Sequence, residues 1–312
     1  MTAELNTIPP AITFFAWPKP FTGDAHIATI QRNAIRSWTL LHPRPQIILL
    51  GDEPGVEKTC REFGLMHCSE VARNEFGTAL VASVFEKAEQ IAAAEVLCYI
   101  NSDILLFQDY MDGVRLVCGA RKRFLIGLRP WDFDVRGEAG EALDHIQETA
   151  RRHGRLRGNN ACDVFVFSKG LWPAIPPLAL GRCGFDGALL RLARESGAPL
   201  VDATESITAV HQHHSYAEAF RGEGYLWNPE AIRNYATVGG FRALFTWANA
   251  THVIKGGRLK RAWRNVARWY PAAMPVVWWW RKVAWFPFLR LTRPVRRHLG
   301  LTPRGSGLRE GA

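Results

Sequence analysis

A polar triplet, Asn101-Ser102-Asp103, interrupts a long apolar stretch of this sequence. It directly follows the apolar residues 96–100 and precedes a second apolar run, residues 104–107. Polar side chains between two buried stretches are costly to desolvate unless something pairs with them. A divalent cation on the Asp103 carboxylate would do so, because Mg²⁺ and Mn²⁺ combine a few protein oxygens with substrate phosphate oxygens. The alternative is a turn capped by Asn101 and Asp103.

Histidines form the second cluster that could do chemistry. His211, His213 and His214 follow directly after an apolar run, residues 207–210. On a strand, His211 and His213 would point to the same face. One of them could then ligate a metal while the other contacts a phosphate. The alternative is a group of surface histidines without a ligand.

Strands and helices alternate along the part of the chain that must position both clusters. Strands are predicted over residues 12–17, 46–50, 96–100, 124–128, 163–167, 200–201 and 207–210, and helices over residues 27–41, 80–91, 142–152 and 185–194. This order predicts an α/β fold, a mostly parallel sheet flanked by helices on both faces. Ligands bind beyond the carboxyl ends of the strands in such sheets. The loops that begin near Trp17, Gly51 and Asn101 should therefore carry the chemistry.

In this setting Asn101-Ser102-Asp103 resembles the Asp-x-Asp motif of A-type-fold, nucleotide-diphospho-sugar transferase-like glycosyltransferases. The resemblance implies a catalytic domain over residues 10–245. It also implies transfer of a sugar from a nucleoside-diphosphate sugar to a hydroxyl of a glycan or lipid-linked acceptor, with Mn²⁺ or Mg²⁺ stabilising the leaving diphosphate. Asp103, His211 and His213 would then hold the metal, and Asn101 and Ser102 would contact the donor.

Three further loops are assigned to the donor. By the same resemblance, Trp17 and Lys19 would hold the base and ribose, and Asp52 would contact the base. Arg129 could meet the diphosphate charge in a bidentate way. The structural alternatives are a proline-set turn around Trp17, a solvated acidic loop around Asp52 and a surface salt-bridge loop around Arg129.

The acceptor side and the catalytic base are assigned to later residues. Trp131 could stack on a sugar face, and Asp132 and Asp163 are the neighbouring acceptor-side candidates. Asp186 opens a predicted helix, where inverting enzymes of this fold place the base that deprotonates the attacking hydroxyl. Asp186 is equally well placed to cap that helix. The segment 222–227 resembles the loop that folds over the donor.

Charge is distributed unevenly along the chain. Residues 231–312 hold 16 Lys and Arg and one acid, a balance of +15 against a total of +10, which leaves −5 for the first 230 residues. A uniformly basic nucleic-acid-binding domain does not have this distribution, and no nucleic-acid partner is expected. The six cysteines form no CxxC pair, and the first residues lack a basic stretch followed by an apolar one. A reduced, cytoplasmic protein is therefore expected.

The basic C-terminal segment, residues 255–312, is rich in tryptophan. Its longest uncharged run, residues 269–280, is about half of what a spanning helix needs. Cations interleaved with indoles suit an anionic membrane surface, which predicts peripheral attachment at the inner face of the membrane. A packed basic subdomain and a segment that binds nucleic acid or another polyanion are the alternatives, since aromatic residues interleaved with arginine also suit single strands.

Two other functions remain open from the sequence. One is a non-catalytic α/β protein that docks to anionic polymers or membranes through its C-terminal segment. The other is a nucleotidyltransferase of related fold, although residues 17–23 lack the glycine-rich phosphate loop that such enzymes usually have after the first strand.

Overall fold

The computed structural model describes residues 11–139, 142–214, 226 and 228–262. The helices are α1 (Ala25–Thr39), α2 (Val56–Phe63), α3 (Val81–Ile91), α4 (Asp109–Ala120), α5 (Leu143–His153), α6 (Phe185–Glu195) and α7 (Pro229–Thr237). The strands are β1 (Ile12–Ala16), β2 (Gln46–Leu50), β3 (Met66–Cys68), β4 (Val96–Ile100), β5 (Ile104–Leu106), β6 (Leu125–Gly127), β7 (Trp131–Phe133), β8 (Arg155–Leu156), β9 (Val164–Ser168), β10 (Leu200–Asp202), β11 (Ala209–Gln212), β12 (His252–Ile254) and β13 (Leu259–Arg261).

Nine strands form the main sheet, in the order β13-β12-β10-β6-β9-β4-β1-β2-β3. β1 pairs in parallel with β2 and β4, and β10 pairs in parallel with β6 and β12. β9 is antiparallel to both β4 and β6, and β13 is antiparallel to β12. The prediction of a mostly parallel sheet is confirmed.

Helices cover both faces of this sheet, because its inner strands are apolar on both sides. Phe14 and Phe15 are neighbours in β1 and both are fully buried, but they belong to different core clusters. One cluster includes residues of α1, α2 and α4, and the other includes residues of α3 and α6. The Asp24 side chain caps α1 by accepting hydrogen bonds from two backbone N–H groups. Trp38 of α1 then donates its indole N–H to the Ile104 carbonyl, 2.9 Å away.

A second sheet has four strands, in the order β5-β11-β7-β8. Its strand β5 follows the carboxyl end of β4 in the sequence, after the turn that contains Asp103. β5 and β11 are antiparallel, and His211 is the partner of Ile104. β11 and β7 are parallel, and His211 is also the partner of Asp132. This sheet therefore brings three distant parts of the chain together beside Asp103.

The predicted elements agree with the structure to within two residues at most ends, and β2 and β4 agree fully. The sequence patterns missed the helices α2, α4 and α7 and the short strands β3, β5, β7, β8, β12 and β13. They also missed the antiparallel direction of β9. Apart from Leu226, the segment 222–227 lies outside the described residues, as does most of the basic C-terminal segment. The start of the basic C-terminal segment forms β13 of the main sheet. Among the described residues, no helix is long and apolar enough to cross a membrane.

Candidate functional site

A cavity of about 700 Å³ lies where the chain leaves β1, β2 and β4. Of the residues predicted for the site, eight line it: Trp17, Lys19, Asn101, Ser102, Asp103, Asp163, Asp186 and His211. Asp52, Arg129, Trp131, Asp132 and His213 are not among the described residues that line it. The cavity thus collects side chains from strand ends that are far apart in the sequence, as expected for an open α/β sheet.

Asp103, His211 and His214 form a cluster at one wall of the cavity. His214 Nε2 lies 2.9 Å and His211 Nε2 lies 3.6 Å from Asp103 Oδ2. Burial by itself would raise the pKa of Asp103, but the imidazoles of His211 and His214, and then Lys19, lower it to about 2. Asp103 is therefore a carboxylate at neutral pH.

The expectation that His213 shares a face with His211 is wrong. β11 ends at Gln212, so the alternation of side chains along a strand stops before His213. His213 is exposed, whereas the buried His214 turns back to Asp103. Gln212 fixes this arrangement, because its side-chain and backbone N–H groups both donate to the Asp103 carbonyl.

Asp132 lies behind His211, on the side away from Asp103. Asp132 Oδ1 lies 3.2 Å from His211 Nδ1, and Arg155 and Arg157 hold the same carboxylate at 2.9 and 3.3 Å. Sequence reasoning placed Asp132 at the acceptor. In the structure it contacts a histidine of the cluster, because β7 pairs with β11.

Asn101 and Asp163 contact each other at the floor of the cavity. Asn101 Nδ2 donates to Asp163 Oδ1 at 2.8 Å, and Tyr99 Oη donates to Asn101 Oδ1 at 3.0 Å. Arg157 donates to the second oxygen of Asp163 at 3.1 Å. Burial raises the pKa of Asp163 despite Arg157. The side chains of Asn101 and Asp163 thus form hydrogen bonds within the protein and help to hold the cavity wall in place. Both also line the cavity, where a ligand could contact them.

Asp186 enters the cavity from the first turn of α6. The helix cap is Gly184, which has a φ of +100°, and the Asp186 carboxylate accepts from the Gly187 N–H at 2.8 Å. Asp186 is therefore not the N-cap residue. A side chain at residue 184 would meet the Tyr235 ring at 2.9 Å, so glycine is required there for both space and backbone conformation. Burial raises the pKa of Asp186 to about 6, and the negative charge of Asp163 adds to this effect.

Trp17 forms another wall together with a charged group that the sequence did not single out. The Arg73 guanidinium lies over the Trp17 ring, 4.6 Å from its centroid, and pairs with Asp52 and Glu53. Glu53, 13% exposed, lines the cavity, whereas Asp52 is 67% exposed and does not. Gly51 has a φ of +102°, a backbone conformation that favours glycine, and a Cβ there would also lie 3.0 Å from the Trp17 ring. The acid that lines the cavity is therefore Glu53, and the prediction of Asp52 was one residue off.

Arg129 and Trp131 are occupied elsewhere. The Arg129 guanidinium donates to the Arg157 carbonyl at 3.4 Å, and its backbone N–H donates to Thr204. Trp131 packs on the small apolar cluster that includes Leu105 and Val210. Their expected contacts with diphosphate and sugar are not supported by these positions, because neither residue is among the described residues that line the cavity.

Sequence reasoning missed three cations and two other residues of the cavity wall: Arg73, Arg157, Arg182, Glu53 and His214. Arg73 and Arg157 lie in irregular segments between predicted elements, where no periodic signal marks them. His214 and Glu53 are each the direct neighbour of a predicted site residue, His213 and Asp52.

The cluster of Asp103, His211 and His214 suits a divalent metal ion. One ligand atom from each of the three lies within 4.8 Å of the others. Oδ1 of Asp103 is buried and has no hydrogen-bond partner among the described residues, which is costly unless a cation is bound. One carboxylate and two imidazoles favour Mn²⁺ over Mg²⁺, because Mg²⁺ prefers oxygen ligands.

No protein-family model and no curated protein matches this sequence. Several solved structures resemble its fold. The mannosyltransferase PcManGT from Pyrobaculum calidifontis, in complex with GDP-Man and Mn²⁺, is 12% identical, with a TM-score of 0.46 over 74% of this chain and 64% of that chain. Glucosyl-3-phosphoglycerate synthase from Mycobacterium tuberculosis, with Mn²⁺, UDP and phosphoglyceric acid, is 16% identical, with a TM-score of 0.41 over 67% and 73%. TarS of S. aureus is 9% identical, with a TM-score of 0.43 over 68% and 38%.

The mannosyltransferase belongs to the class of enzyme that the sequence resembles. This chain spans less than two thirds of the PcManGT chain and of the TarS chain. At these identities and TM-scores the likeness concerns the fold alone.

Proposed function

We propose that this protein is a metal-dependent glycosyltransferase that moves a sugar from a nucleoside-diphosphate sugar to a hydroxyl group. The proposal rests on one observation: Asp103, His211 and His214 share a cavity with Asp186, a carboxyl group of raised pKa. An inverting, metal-assisted transfer of a sugar from a diphosphate uses two such groups. One takes up the charge of the leaving diphosphate, and the other takes the proton of the acceptor.

Asp103, His211 and His214 would hold the metal, Mn²⁺ by preference. A bound divalent ion stabilises the charge that develops on the leaving diphosphate. Lys19 lines the same cavity and is close enough to lower the pKa of Asp103, so we assign it to the diphosphate as well.

We assign the nucleoside to Trp17 and Glu53. The Trp17 ring offers a flat apolar surface, on which every base can stack because each has a π-face. The Arg73 guanidinium lies over one face of this ring and pairs with Glu53, so we assign the base to the other face. A carboxylate accepts hydrogen bonds, so Glu53 suits the N–H groups of a base or the hydroxyls of a ribose.

Asp186 is assigned as the general base. The acceptor hydroxyl oxygen bonds to the anomeric carbon while the bond from that carbon to the diphosphate oxygen breaks. The electron pair of the broken bond leaves with the diphosphate, and Asp186 takes the hydroxyl proton. A pKa of about 6 leaves Asp186 ionised at neutral pH yet basic enough for this step. This role implies inversion at the anomeric carbon.

The acceptor remains a proposal from the sequence: a hydroxyl of a glycan or of a lipid-linked molecule, reached from the cytoplasmic face of a membrane. A non-catalytic binding protein would have no use for three metal ligands and a buried carboxyl group in one cavity. A nucleotidyltransferase is not favoured by any feature of the described cavity wall.

A thermal-shift screen of nucleoside diphosphates and nucleotide sugars, with and without Mn²⁺, tests the proposal. A ligand that binds the native state raises the apparent stability. We expect one nucleoside diphosphate to produce a shift that requires Mn²⁺. The Asp103→Ala variant should lose that shift, and Asp134→Ala, at an exposed position, should keep it. If no nucleotide shifts the well-folded wild type, the proposal is wrong and a binding protein becomes the better explanation.

A further inference from the structure

A group of cations lies at one end of the nine-stranded sheet. β12 and β13 are the last two strands there, and Arg261 of β13 is the partner of His252. Arg121 and Lys122 follow α4 in the turn before β6, and Arg194 lies in the last turn of α6. The pKa of His252 is lowered first by burial and then by the charges of Arg121, Arg261 and Arg194. Cations from three separate elements therefore surround one imidazole.

This group faces away from the cavity. Arg121 and Lys122 precede β6, Arg194 precedes β10, and His252 is the first residue of β12. β6, β10 and β12 run in the same direction as β4, because β9 is antiparallel to both β4 and β6. The cations thus lie at the amino ends of the parallel strands, whereas the cavity lies at the carboxyl ends.

Arg121, Lys122, Lys260 and Arg261, which we call the basic edge, are all exposed. Among the described residues, no carboxylate lies within ion-pair distance of any of the four, although the nearby Lys255 pairs with Glu205 at 3.0 Å. Unpaired cations in close proximity repel one another, and an anionic partner relieves that repulsion.

Protection of the sheet against edge-to-edge association is a competing explanation. Charged side chains on an edge strand, lysine above all, prevent pairing with another sheet. This accounts for Lys260 and Arg261, which are in β13. It does not account for Arg121 and Lys122, which lie outside the strand.

We propose that the basic edge binds an anionic phospholipid surface. The chain continues from β13 into the sequence 263–312, which holds six tryptophans among arginines and lysines, a composition that suits the membrane interface. Single-stranded nucleic acid would need aromatic rings on which bases stack. The tryptophans of residues 263–312 could serve for this, but the basic edge itself has no such ring, because the exposed aromatic side chains of the described residues, Phe76 and Phe241, do not belong to it. The inference goes beyond sugar transfer and does not depend on it.

Co-sedimentation of the full chain with vesicles tests this inference. The vesicles are phosphatidylcholine alone and phosphatidylcholine with phosphatidylserine. The test variant carries Lys122→Gln, Lys260→Gln and Arg261→Gln. The control carries Lys58→Gln, Arg61→Gln and Arg136→Gln, which removes the same charge from side chains that are 78%, 70% and 91% exposed. Circular dichroism and thermal unfolding establish that all three proteins are folded.

Each cation near an anionic surface contributes about a fivefold change in partitioning. The test variant should therefore bind the phosphatidylserine vesicles about 100-fold more weakly than wild type, and the control should bind nearly as wild type does. Equal binding by the test variant would mean that other parts of the chain carry the attachment and would overturn the inference. So would wild-type protein that binds a single-stranded RNA homopolymer but does not distinguish the two kinds of vesicle.

Discussion

Asparagine in place of Asp186 should stabilise the protein at alkaline pH while it abolishes sugar transfer. The substitution keeps the size of the side chain, and the amide oxygen still accepts from the Gly187 N–H. It removes the titration of a carboxyl group whose surroundings disfavour its charged form. Stability and activity should therefore move in opposite directions.

The magnitude follows from the shift in pKa. The pKa of Asp186 is about 6 in the folded protein against an ordinary value of 3.8, so the folded protein holds a proton in this interval that the unfolded chain has released. The stabilising contribution of protonated Asp186 is fully present below the lower value and is lost as the pH rises through the higher one. At about 1.4 kcal/mol for each tenfold difference in proton affinity, the loss reaches about 3 kcal/mol at about pH 8.

Urea unfolding of metal-free wild type and Asp186→Asn at about pH 4 and about pH 8 measures this effect. At about pH 4 the unfolded chain still keeps part of its proton, so the two proteins should differ by less than about 1 kcal/mol from this cause. Between the two pH values the difference in free energy of unfolding should change by about 2 kcal/mol in favour of the variant. Asp134→Asn is the control, because its side chain is 60% exposed and lies in a surface ion pair with Arg136.

Two separate results would refute the reasoning. A stability difference that does not change with pH would mean that burial does not hold the carboxyl group in its neutral form. Sugar transfer by Asp186→Asn at the wild-type rate would rule out Asp186 as the base, whatever the unfolding data give. The control should show no pH-dependent difference comparable to that of Asp186→Asn.

The remaining predictions concern the metal and the donor. Asp103→Ala should abolish sugar transfer without changing the circular dichroism spectrum, and transfer by this variant would refute the metal assignment. Asp132→Ala should weaken Mn²⁺ binding by about 10- to 100-fold in isothermal titration calorimetry, because carboxylates that orient metal-ligating histidines have effects of that size; an unchanged Mn²⁺ affinity would mean that Asp132 does not orient His211. Trp17→Ala should raise the Kd of the nucleoside diphosphate by at least about fivefold, the lower bound for loss of base stacking, and should leave Mn²⁺ binding unaltered. A wild-type Kd in that variant would place the base elsewhere.

The main elements of the fold were predictable because their signals are local. The five apolar residues of β4 and the helical spacing of Ile30, Ala34 and Trp38 in α1 are visible in short windows of sequence. The direction of β9 was not predictable in this way. A buried strand is apolar on both faces whether its neighbours are parallel or antiparallel, so its composition does not contain that information.

The residues of the candidate site likewise fall into those with a local signal in the sequence and those without one. The position of Asn101-Ser102-Asp103 and Asp186 at the cavity was predictable, because a polar group at the end of a buried strand, or at the start of a helix, is recognisable from its neighbours in the chain. The assignment to His213 failed because it extended the strand period past Gln212, where β11 ends.

The chain alone determines where the strands end and which polar side chains follow them, since both depend on residues a few positions apart. The tertiary structure decides which of these ends meet. Asp132 contacts His211 because β7 pairs with β11, and Arg73 covers Trp17 because a loop 56 positions further along the sequence returns to the end of β1. Such contacts depend on strand order and register, which are set by the packing of the whole sheet and leave no periodic pattern in any one segment.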